Sequence, residues 1–337
     1  MPRVVHVVRS SWPAIGGLEA SVDGLARAQH RLGWSVQVAA IGATSERRAG
    51  VRYRPLRRIG PRRYPFARGL GTCLREADVV HVHGIDGLAD QAVRRHARVG
   101  VSTHGGYFHT PRHRWAKELL LRTWTRRTLQ RAGAVWFTSE ADRERLGAAG
   151  VQGEVIGDGV DLDELTGSAW APVPGRWVVP GRVDVHKGLD DLVHWLAALG
   201  PRGPAEVRVV GPWTRPELVP SLRRAGLTVV GPVPREVLLS ELRAAERVVL
   251  PSRFEGFGIA ALEVMALGIP MWLSDIPAHR ALDIPDDAGR VDFRDLAAVD
   301  RWDPEAPVRL VAARQAASRA HGWQAVARRF VAAYEAL

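Results

Sequence analysis

The sequence has few of the residues that form disulfides, metal clusters and membrane spans. One cysteine, Cys73, occurs in 337 residues, which excludes an internal disulfide and a cysteine-based metal cluster. A run of about 18 uninterrupted apolar residues is missing, so we expect no transmembrane helix. The first apolar segment, Val4 to Val8, is too short for a signal peptide and is typical of a first strand. These features predict a protein that stays in the cytoplasm.

Lysine is also scarce, although the chain is strongly basic. Lys117 and Lys187 are the two lysines, so 45 of the 47 basic residues are arginine, and the formal net charge is +11. A bias toward arginine codons accounts for part of this charge, which by itself would indicate nucleic acid or anionic lipid as a partner. The distribution is more informative. Residues 47 to 68 hold nine arginines and no acid, interrupted by aromatic and aliphatic side chains.

The dinucleotide-binding motif G-x-G-x-x-G is missing after the first strand. The segment SSWPAIGGLEAS places Gly16 and Gly17 directly before a predicted helix. Without that motif, a nicotinamide or flavin site loses its main support. The two glycines fit two interpretations equally well. They form an anion site at the helix N-terminus, or they form a tight strand-to-helix turn.

Short apolar strands alternate with helical segments along the whole chain. This order is typical of parallel α/β architecture, and the length suits two domains. We predict two Rossmann-like, doubly wound domains that face each other across a cleft, where ligands bind at the carboxyl ends of the strands. The predicted N-terminal domain spans 1–169, the linker 170–176 and the C-terminal domain 177–320. A final helix, 321–337, is expected to pack back on the N-terminal domain.

The segment THGGYFHT follows the strand predicted at Gly100 to Thr103. His104 lies at the carboxyl end of that strand, where it can donate a hydrogen bond to a ligand hydroxyl. A buried structural histidine is the equally weighted alternative. The other nearby histidines have no i, i+4 spacing with a third ligand, so we expect no metal site. They are His81, His83, His109 and His113.

The segment PGRVDVHKGLDDL places Arg182 and Lys187 on a loop between a strand and a helix. In a chain that uses arginine almost everywhere, a lysine at 187 indicates a requirement for a compact charge. Together, an ammonium and a guanidinium can hold a diphosphate. A solvated surface loop is the alternative, and we favour the anion site.

The segment RFEGFGIAALEVMALG places a carboxylate inside an apolar helix. Glu263 lies in a helix predicted from Ile259 to Leu267, and Glu255 precedes that helix in a glycine-rich loop. A helical rise of about 1.5 Å per residue lets the two carboxylates lie about 10 Å apart, flanking the helix N-terminus. A nucleotide-sugar has matching hydroxyls at both ends and phosphates between them.

These segments together resemble glycosyltransferase family 4. The stretch EGFGIAALE is similar to the E-x7-E motif of these retaining enzymes, GR…HKG to their diphosphate loop, and GGLEASVDGLA to their N-terminal glycine loop. The resemblance implies the GT-B fold and glycosyl transfer. Within the family, the segments RRIG…RYP, ADVVHVHGID, VSTHGGYFHT and SDIP resemble mannosyltransferases of xanthan- and acetan-type polysaccharide assembly. The implied donor is GDP-mannose, and the implied acceptor is a polyprenyl-diphosphate-linked cellobiose.

The resemblance also implies roles for individual residues. Glu263 is expected to bind the ribose, and Glu255 and His104 the transferred hexose. Arg182 and Lys187 are expected to neutralise the diphosphate leaving group. The departing diphosphate takes the acceptor proton, so neither a protein base nor a metal is implied. The remaining donor-binding residues are Gly16, Gly17, Gly256, Phe257, Gly258 and Ile259.

One position departs from the family pattern, and three acidic motifs are set aside. Asp158 stands where the family usually has asparagine, and a carboxylate cannot donate as an amide does. The D-x-D formed by Asp161 and Asp163 is interpreted as a helix cap rather than a metal site. Acidic pairs at 190–191 and 286–287 are interpreted as first-turn or loop residues.

An enzyme with a polyprenyl acceptor has to reach a bilayer surface. We expect peripheral association with the inner face of the cell membrane through the basic patch and through the helix predicted at Arg112 to Arg131, which carries apolar and basic side chains. Packing of that helix on a core is the alternative. The predicted acceptor or membrane residues are Arg58, Arg62, Arg63, Tyr107, Phe108, His109, Trp115 and Trp124.

Three other functions compete with this one. A family 4 hexosyltransferase could use a UDP-sugar or a different acceptor. A nucleotide-sugar epimerase of the same fold would bind the donor but need no acceptor. A nucleic-acid-binding protein would explain the charge alone, and its binding would fall steeply with salt.

Overall fold

The computed structural model describes residues 1–11, 16–62, 64–105, 114–165, 169–282, 289–301, 305, 308 and 311–337. It divides into two units, one formed by Met1–Val160 with His321–Leu337 and one formed by Asp161–Ala320. The division falls before the predicted linker at 170–176. Backbone amides of Ala171 and Val173 donate to the carbonyls of Arg243 and Ala244. The linker stretch is therefore part of the second unit.

The first unit contains a mostly parallel sheet with helices. Its described strands are β1 (Arg3–Val8), β2 (Ser35–Ile41), β3 (Glu46–Arg48), β4 (Val51–Ile59), β5 (Phe66–Arg68), β6 (Val79–His83), β7 (Val99–Ser102), β8 (Ala134–Phe137) and β9 (Glu154–Val155). Its first helices are α1 (Gly17–Arg31), α2 (Leu70–Leu74) and α3 (Gly87–Val93). They are followed by α4 (Arg114–Leu120), a π-helix (Leu121–Thr125), α5 (Arg126–Arg131) and α6 (Glu140–Gly147).

The strand order in the described part of this sheet is β3-β4-β2-β1-β6-β7-β8-β9, with β5 paired to β4. Strands β1 and β6 lie at its centre and are almost entirely buried, as expected for parallel strands covered on both faces. The C-terminal helix of this unit, Trp323–Glu335, packs on α1 through an apolar cluster. This cluster includes Val22, Leu25, Val326 and Phe330.

Much of the basic patch at 47–68 lies on strands. Its first arginines lie on β3 and β4, which pair antiparallel, and β5 returns alongside β4. On β4, Val51, Tyr53 and Leu56 are buried, whereas Arg52, Arg57 and Arg58 are exposed. These three buried residues therefore form the inward side of an amphipathic strand, and Ile59 at its end is 46% exposed.

The second unit contains a parallel sheet with the order β12-β11-β10-β13-β14-β15. Its described strands are β10 (Arg176–Pro180), β11 (Glu206–Val210), β12 (Thr228–Gly231), β13 (Arg247–Leu250), β14 (Met271–Ser274) and β15 (Arg290–Val291). Its described helices are α7 (Leu162–Leu165), α8 (Leu189–Leu199), α9 (Val219–Arg224), α10 (Arg235–Arg243), α11 (Ile259–Leu267), α12 (Pro277–Arg280) and α13 (Val311–Ser318). We label the C-terminal helix of the first unit α14.

No helix in the described ranges is both long enough and apolar enough to cross a membrane. The helix predicted at 112–131 is described from Arg114 onward as α4, the π-helix and α5. Leu121 and Leu129 of this segment are buried, whereas Trp115 and Leu119 are 75% and 59% exposed. The segment therefore packs on the unit through one side and leaves large apolar side chains outside.

Candidate functional site

In the first unit, candidate site residues lie at the carboxyl end of β7. The backbone of His104 adopts a φ of 47°, in the left-handed region that non-glycine residues rarely occupy. Two neighbouring polar groups hold it there. The His104 amide donates to Thr138 Oγ1 at 2.7 Å, and the Gly105 amide donates to Asp142 Oδ2 at 2.9 Å. Such local strain is typical of functional sites.

Asp142 supports the same loop from the first turn of α6. Its Oδ2 also accepts from Thr103 Oγ1 at 2.6 Å. Burial raises the pKa of Asp142, and the hydrogen bonds from Thr103 and Gly105 partly oppose this shift. The loop that carries His104 is therefore tied to a buried carboxyl group rather than exposed to solvent.

The His104 ring is the end of a row of buried imidazoles. His6 lies on β1, and His81 and His83 lie on the adjacent β6, with His6 in register with His81. His6 Nδ1 and His83 Nε2 are 2.8 Å apart, and His83 Nδ1 and His104 Nε2 are 2.9 Å apart. Burial lowers the pKa of His6 to about 4, and it lowers the pKa of His81 and His83 well below the usual range. These rings are therefore neutral at physiological pH.

Three of these histidines also have the composition of a metal site. Ring nitrogens of His6, His81 and His83 lie within 4.8 Å of one another. The nitrogens already have partners, however. His6 Nε2 contacts Gln29 Oε1, and His81 contacts Tyr334 and Ser102. The protein's own hydrogen bonds therefore account for these rings without a metal.

Asp158, which stands where the family usually has asparagine, lies beside His104. Its Oδ1 accepts a short hydrogen bond from Ser21 on α1. Its Oδ2 lies 3.8 Å from His104 Nδ1. A carboxylate at 158 is thus buried against a serine hydroxyl and an imidazole.

The glycine pair before α1 is partly described. Gly17 is the first residue of α1, and Gly16 precedes it without a side-chain cap. Glu19 lies in the first helical turn, and a side chain at 16 would collide with its carboxylate. The anion-binding role of this terminus stays a prediction, as does the alternative of a simple turn.

Four predicted residues lie outside the described part of the chain. They are Arg63, Tyr107, Phe108 and His109. Among the other predicted surface residues, Arg58 and Arg62 are exposed, and Trp124 is 45% exposed.

In the second unit, Lys187 and Glu255 form an ion pair. Lys187 ends a short 3-10 turn, and its Nζ lies 2.7 Å from Glu255 Oε1. Ser252 Oγ donates to the same oxygen at 2.6 Å. Burial alone would raise the pKa of Glu255, but Lys187, His279 and Ser252 together hold this pKa below its usual value. Glu255 is therefore an anion with a compensating cation.

Arg182 lies on the same loop as Lys187. Both residues lie near the carboxyl ends of β10 and β13, close to Gly181, Pro251 and Ser252. The Arg182 side chain is exposed, whereas the Lys187 ammonium is directed at Glu255. The structure thus brings the predicted diphosphate ligands to one loop.

The glycine loop before α11 adopts a backbone conformation that favours glycine. Gly258 is the N-cap of α11 with a φ of 99°, which glycine adopts without a steric penalty. Phe257 is buried, and Ile259 starts the helix. The first backbone N–H groups of a helix have no intrahelical acceptor, so the N-terminus of α11 can bind an anion together with Gly256.

Glu263 is also paired with a cation. Its Oε1 lies 2.8 Å from Arg235 on α10, and Arg235 additionally binds both carboxylate oxygens of Glu164. Burial raises the pKa of Glu263, and Arg235 partly opposes this shift. Arg235 therefore explains how an apolar helix accommodates this carboxylate.

The acidic pairs that the sequence analysis set aside are engaged in local contacts. Asp190 and Asp191 lie in the first turn of α8, and both bind Arg253. The Glu164 amide lies 3.4 Å from Asp161 Oδ1 at the start of α7. The pair at 286–287 lies outside the described residues.

Sequence reasoning missed the residues behind His104. His6, Gln29 and Tyr334 lie in none of the motifs described above, and Tyr334 lies 230 positions after His104 in the sequence. One signal was present. The alternation V-H-V-H on β6 places two histidines on the same face of a central buried strand, which is unusual for polar side chains.

Comparison with protein families gives two matches. The profile described as Glycosyltransferase Family 4 matches residues 15–164, and the one described as Glycosyl transferases group 1 matches residues 175–306. The two matches fall in different structural units and together include the loops described above.

Individual proteins are similar over nearly the whole chain. A GDP-mannose:cellobiosyl-diphosphopolyprenol alpha-mannosyltransferase of Xanthomonas oryzae pv. oryzae is 33% identical, with 98% of this chain and 96% of that protein covered. A protein of the same name from Komagataeibacter xylinus is 32% identical over 81% of this chain and 76% of its own length.

Among solved structures, Thermosynechococcus elongatus sucrose-phosphate synthase has a TM-score of 0.78 at 20% identity, covering 99% of this chain and 98% of that one. Anabaena Alr3699/HepE, solved with UDP and glucose, has a TM-score of 0.77 at 16% identity with complete coverage of both chains. These two likenesses establish the fold.

Proposed function

Because the chain belongs to glycosyltransferase family 4, we propose that it transfers an α-mannosyl residue from GDP-mannose to a polyprenyl-diphosphate-linked cellobiose in exopolysaccharide assembly. Glycosyl transfer is the activity of the family. The donor and acceptor are supported by relatives of this name at 32–33% identity. The ion pair of Lys187 and Glu255, beside the N-terminus of α11, is the observation that carries the site assignment.

The Lys187–Glu255 pair suits a diphosphate leaving group. Without a donor, each charge compensates the other at 2.7 Å. A bound diphosphate would recruit the Lys187 ammonium, and the exposed Arg182 guanidinium could grip a second phosphate oxygen. Cations held in place before the reaction stabilise negative charge that develops on the leaving group. In this reaction the acceptor hydroxyl oxygen bonds to the anomeric carbon as the bond between that carbon and the diphosphate oxygen breaks, and the diphosphate oxygen takes the acceptor proton.

Glu255 then acts on the hexose. Its Oε1 already accepts from Ser252, so the carboxylate stays oriented when Lys187 turns toward phosphate. A carboxylate accepts hydrogen bonds from sugar hydroxyls, and the backbone amides of Gly256, Phe257 and Gly258 supply donors in the same loop. In the proposed reaction His104 of the first unit also contacts the hexose.

Glu263 is proposed to bind the ribose hydroxyls. Arg235 keeps this carboxylate ionised enough to accept hydrogen bonds, although burial raises the pKa of Glu263. A ribose presents two adjacent hydroxyl donors, which satisfy the carboxylate without a new charge.

For the acceptor, we propose docking on an anionic membrane surface through the first unit. Exposed apolar side chains occur on α4 and the π-helix, namely Trp115, Leu119 and Trp124, and exposed arginines occur on and after β4, namely Arg57, Arg58 and Arg62. Tryptophan and arginine are the side chains that bind the headgroup region of anionic bilayers.

The test is a transfer assay with the purified chain. GDP-mannose, UDP-glucose and ADP-glucose are each offered with cellobiosyl-diphosphopolyprenol in anionic vesicles, with and without EDTA. We expect mannosyl transfer from GDP-mannose, undiminished by EDTA. Transfer from UDP-glucose instead would show that the donor is a UDP-sugar. Conversion of a nucleotide-sugar without acceptor would indicate an epimerase. Loss of activity in EDTA would contradict a reaction without an obligatory metal.

A further inference from the structure

A continuous chain of buried hydrogen bonds runs behind His104, and its members lie on four elements of the first unit. Gln29 Nε2 donates to the Tyr334 hydroxyl at 2.9 Å, which joins α1 to α14. Gln29 Oε1 lies 2.7 Å from His6 Nε2, and the imidazole contacts described above continue through His83 to His104. Each intermediate side chain is almost completely buried. Water therefore does not compete for these contacts.

The amide of Gln29 determines the direction of every donor in the chain. An amide oxygen only accepts, so His6 must donate through Nε2–H, which leaves His6 Nδ1 as an acceptor. His83 then donates through Nε2–H to His6, and its Nδ1 becomes the acceptor for His104. His104 in turn donates through Nε2–H. The direction is the same at each ring.

The other branch of the chain has the same polarity. The Tyr334 hydroxyl accepts from Gln29, so its proton is available for His81 Nδ1 at 2.7 Å. His81 then donates through Nε2–H to Ser102 Oγ, which is 2.7 Å away. Both branches are thus consistent with one orientation of the Gln29 amide.

We propose that Gln29, His6 and His83 are positioning residues that place a proton on Nε2 of His104, so that its uncharged imidazole presents Nδ1 as an acceptor beside Asp158. His104 Nδ1 and Asp158 Oδ2 then form two acceptors 3.8 Å apart. Such a pair binds a ligand that brings hydrogen-bond donors, as a sugar hydroxyl does. This reverses the expectation from the sequence that His104 donates to the ligand.

The ligand assignment rests on the proposed function, whereas the tautomer does not. The first measurement is therefore made without substrate. Nuclear magnetic resonance of protein labelled with ¹⁵N in the histidine rings, at pH 8, correlates each ring nitrogen with its attached protons, and His104→Gln identifies the His104 signals. We expect a proton on Nε2 and a lone pair on Nδ1 for His6, His83 and His104. A proton on Nδ1 of neutral His104 would overturn the proposal.

The second measurement replaces Gln29, which sets the direction of the hydrogen-bond donors along the chain of rings. Gln29→Met keeps the length of the side chain but has no donor and only a weakly accepting sulfur, so His104 is expected to populate both tautomers and transfer to fall roughly tenfold. Gln37→Met is the matched control, because Gln37 is a buried glutamine on the neighbouring β2, in register with Val5 of β1. It should leave the His104 signals unchanged. An unchanged His104 spectrum in Gln29→Met would contradict the proposal.

If Gln29→Met does not fold, Tyr334→Phe removes the acceptor that orients the amide, and mixed His104 tautomers are again expected.

Two outcomes separate this inference from the proposed function. A single Nε2–H tautomer in a chain that does not transfer mannose would contradict the proposed function alone. Mannosyl transfer by a chain with protonated Nδ1 at His104 would contradict this inference alone.

Discussion

The two units solve the problem of buried polar groups in different ways. In the first unit the rings behind His104 are neutral, and hydrogen bonds satisfy them one after another. In the second unit two buried carboxylates are paired with cations, Glu255 with Lys187 and Glu263 with Arg235, which also binds Glu164. A neutral chain orients a ligand, whereas paired charges can be redistributed onto an incoming diphosphate.

The difference also appears in the pKa values. Burial lowers the pKa of His6 to about 4 and keeps the ring uncharged. Burial would likewise favour the uncharged form of Glu255, but Lys187 outweighs it, and the pKa of Glu255 is lowered. The Lys187–Glu255 pair therefore retains charge, whereas the row of buried histidines in the first unit excludes it.

The largest effect is expected when either partner of the Lys187–Glu255 ion pair is removed. Lys187→Ala and Glu255→Ala should each lower transfer at least about a hundredfold, because each removes electrostatic stabilisation of the reacting groups. Steady-state rates with GDP-mannose measure this. Arg208→Ala is the matched control, since Arg208 bridges Glu206 and Glu241 at a distance from the glycine loop along the chain. Near-normal transfer by both site variants would contradict the assignment.

Lowering the pH should destabilise the folded first unit, because its buried histidines are held in the uncharged form. The pKa of His6 is about 4 when folded and 6.5 when exposed, so the unfolded chain binds more protons between these values. Stability is therefore complete above pH 6.5 and decreases as the pH falls toward 4. His6 alone should cost roughly 2 kcal/mol at pH 5 relative to pH 7.5.

Denaturant unfolding at the two pH values measures this loss. His6→Gln should reduce the difference between them. His186→Gln, which removes a half-buried histidine of the second unit, should not reduce this difference. A stability that is equal at pH 5 and pH 7.5 would show that the histidine rings are not held neutral.

Replacement of Glu255 and of Glu263 by glutamine should change the stability of the protein by different amounts. The ionised form of Glu255 is favoured in the folded state, and removing it leaves Lys187 without its partner, so Glu255→Gln should lower the free energy of unfolding at pH 7 by about 3 kcal/mol. The raised pKa of Glu263 means that folding disfavours its ionised form, so Glu263→Gln should be close to neutral for stability. It should still weaken the stabilisation by a bound nucleotide-sugar. Equal destabilisation by both variants would contradict this contrast.

The smallest expected effect concerns the surface of the first unit. Arg58→Gln should lower binding to anionic vesicles about fivefold at low salt, since each surface arginine contributes about 1 kcal/mol near such a membrane. Vesicle sedimentation measures it. Arg202→Gln, a substitution on a loop of the second unit, is the control and should have no effect. Equal losses from both variants would indicate a dependence on net charge instead of a membrane face.

Much of the second unit could be predicted from the sequence. The loop with Lys187 and the helix at Ile259 follow from local patterns and motifs, since glycine and apolar periodicity specify them over a few residues. The pairing of Glu263 with Arg235 did not follow. Arg235 is 28 positions away on another helix, and no local pattern specifies the contact.

The first unit was less predictable for the same physical reason. The strands of the basic patch were missed because arginine-rich alternation does not stand out as a strand. The support behind His104 comes from β1, β6, α1 and α14, which only the folded sheet brings together. Hydrogen bonds between distant elements leave no spacing in the sequence.

The most direct test of the central claim is a thermal-shift panel of GDP-mannose, UDP-glucose, ADP-glucose and TDP-glucose. It compares the wild-type chain with Lys187→Ala. A ligand that binds only the native state raises its melting temperature. The account predicts the largest increase with GDP-mannose and its loss in Lys187→Ala. An equal increase in both proteins, or a larger one with another nucleotide-sugar, would contradict it.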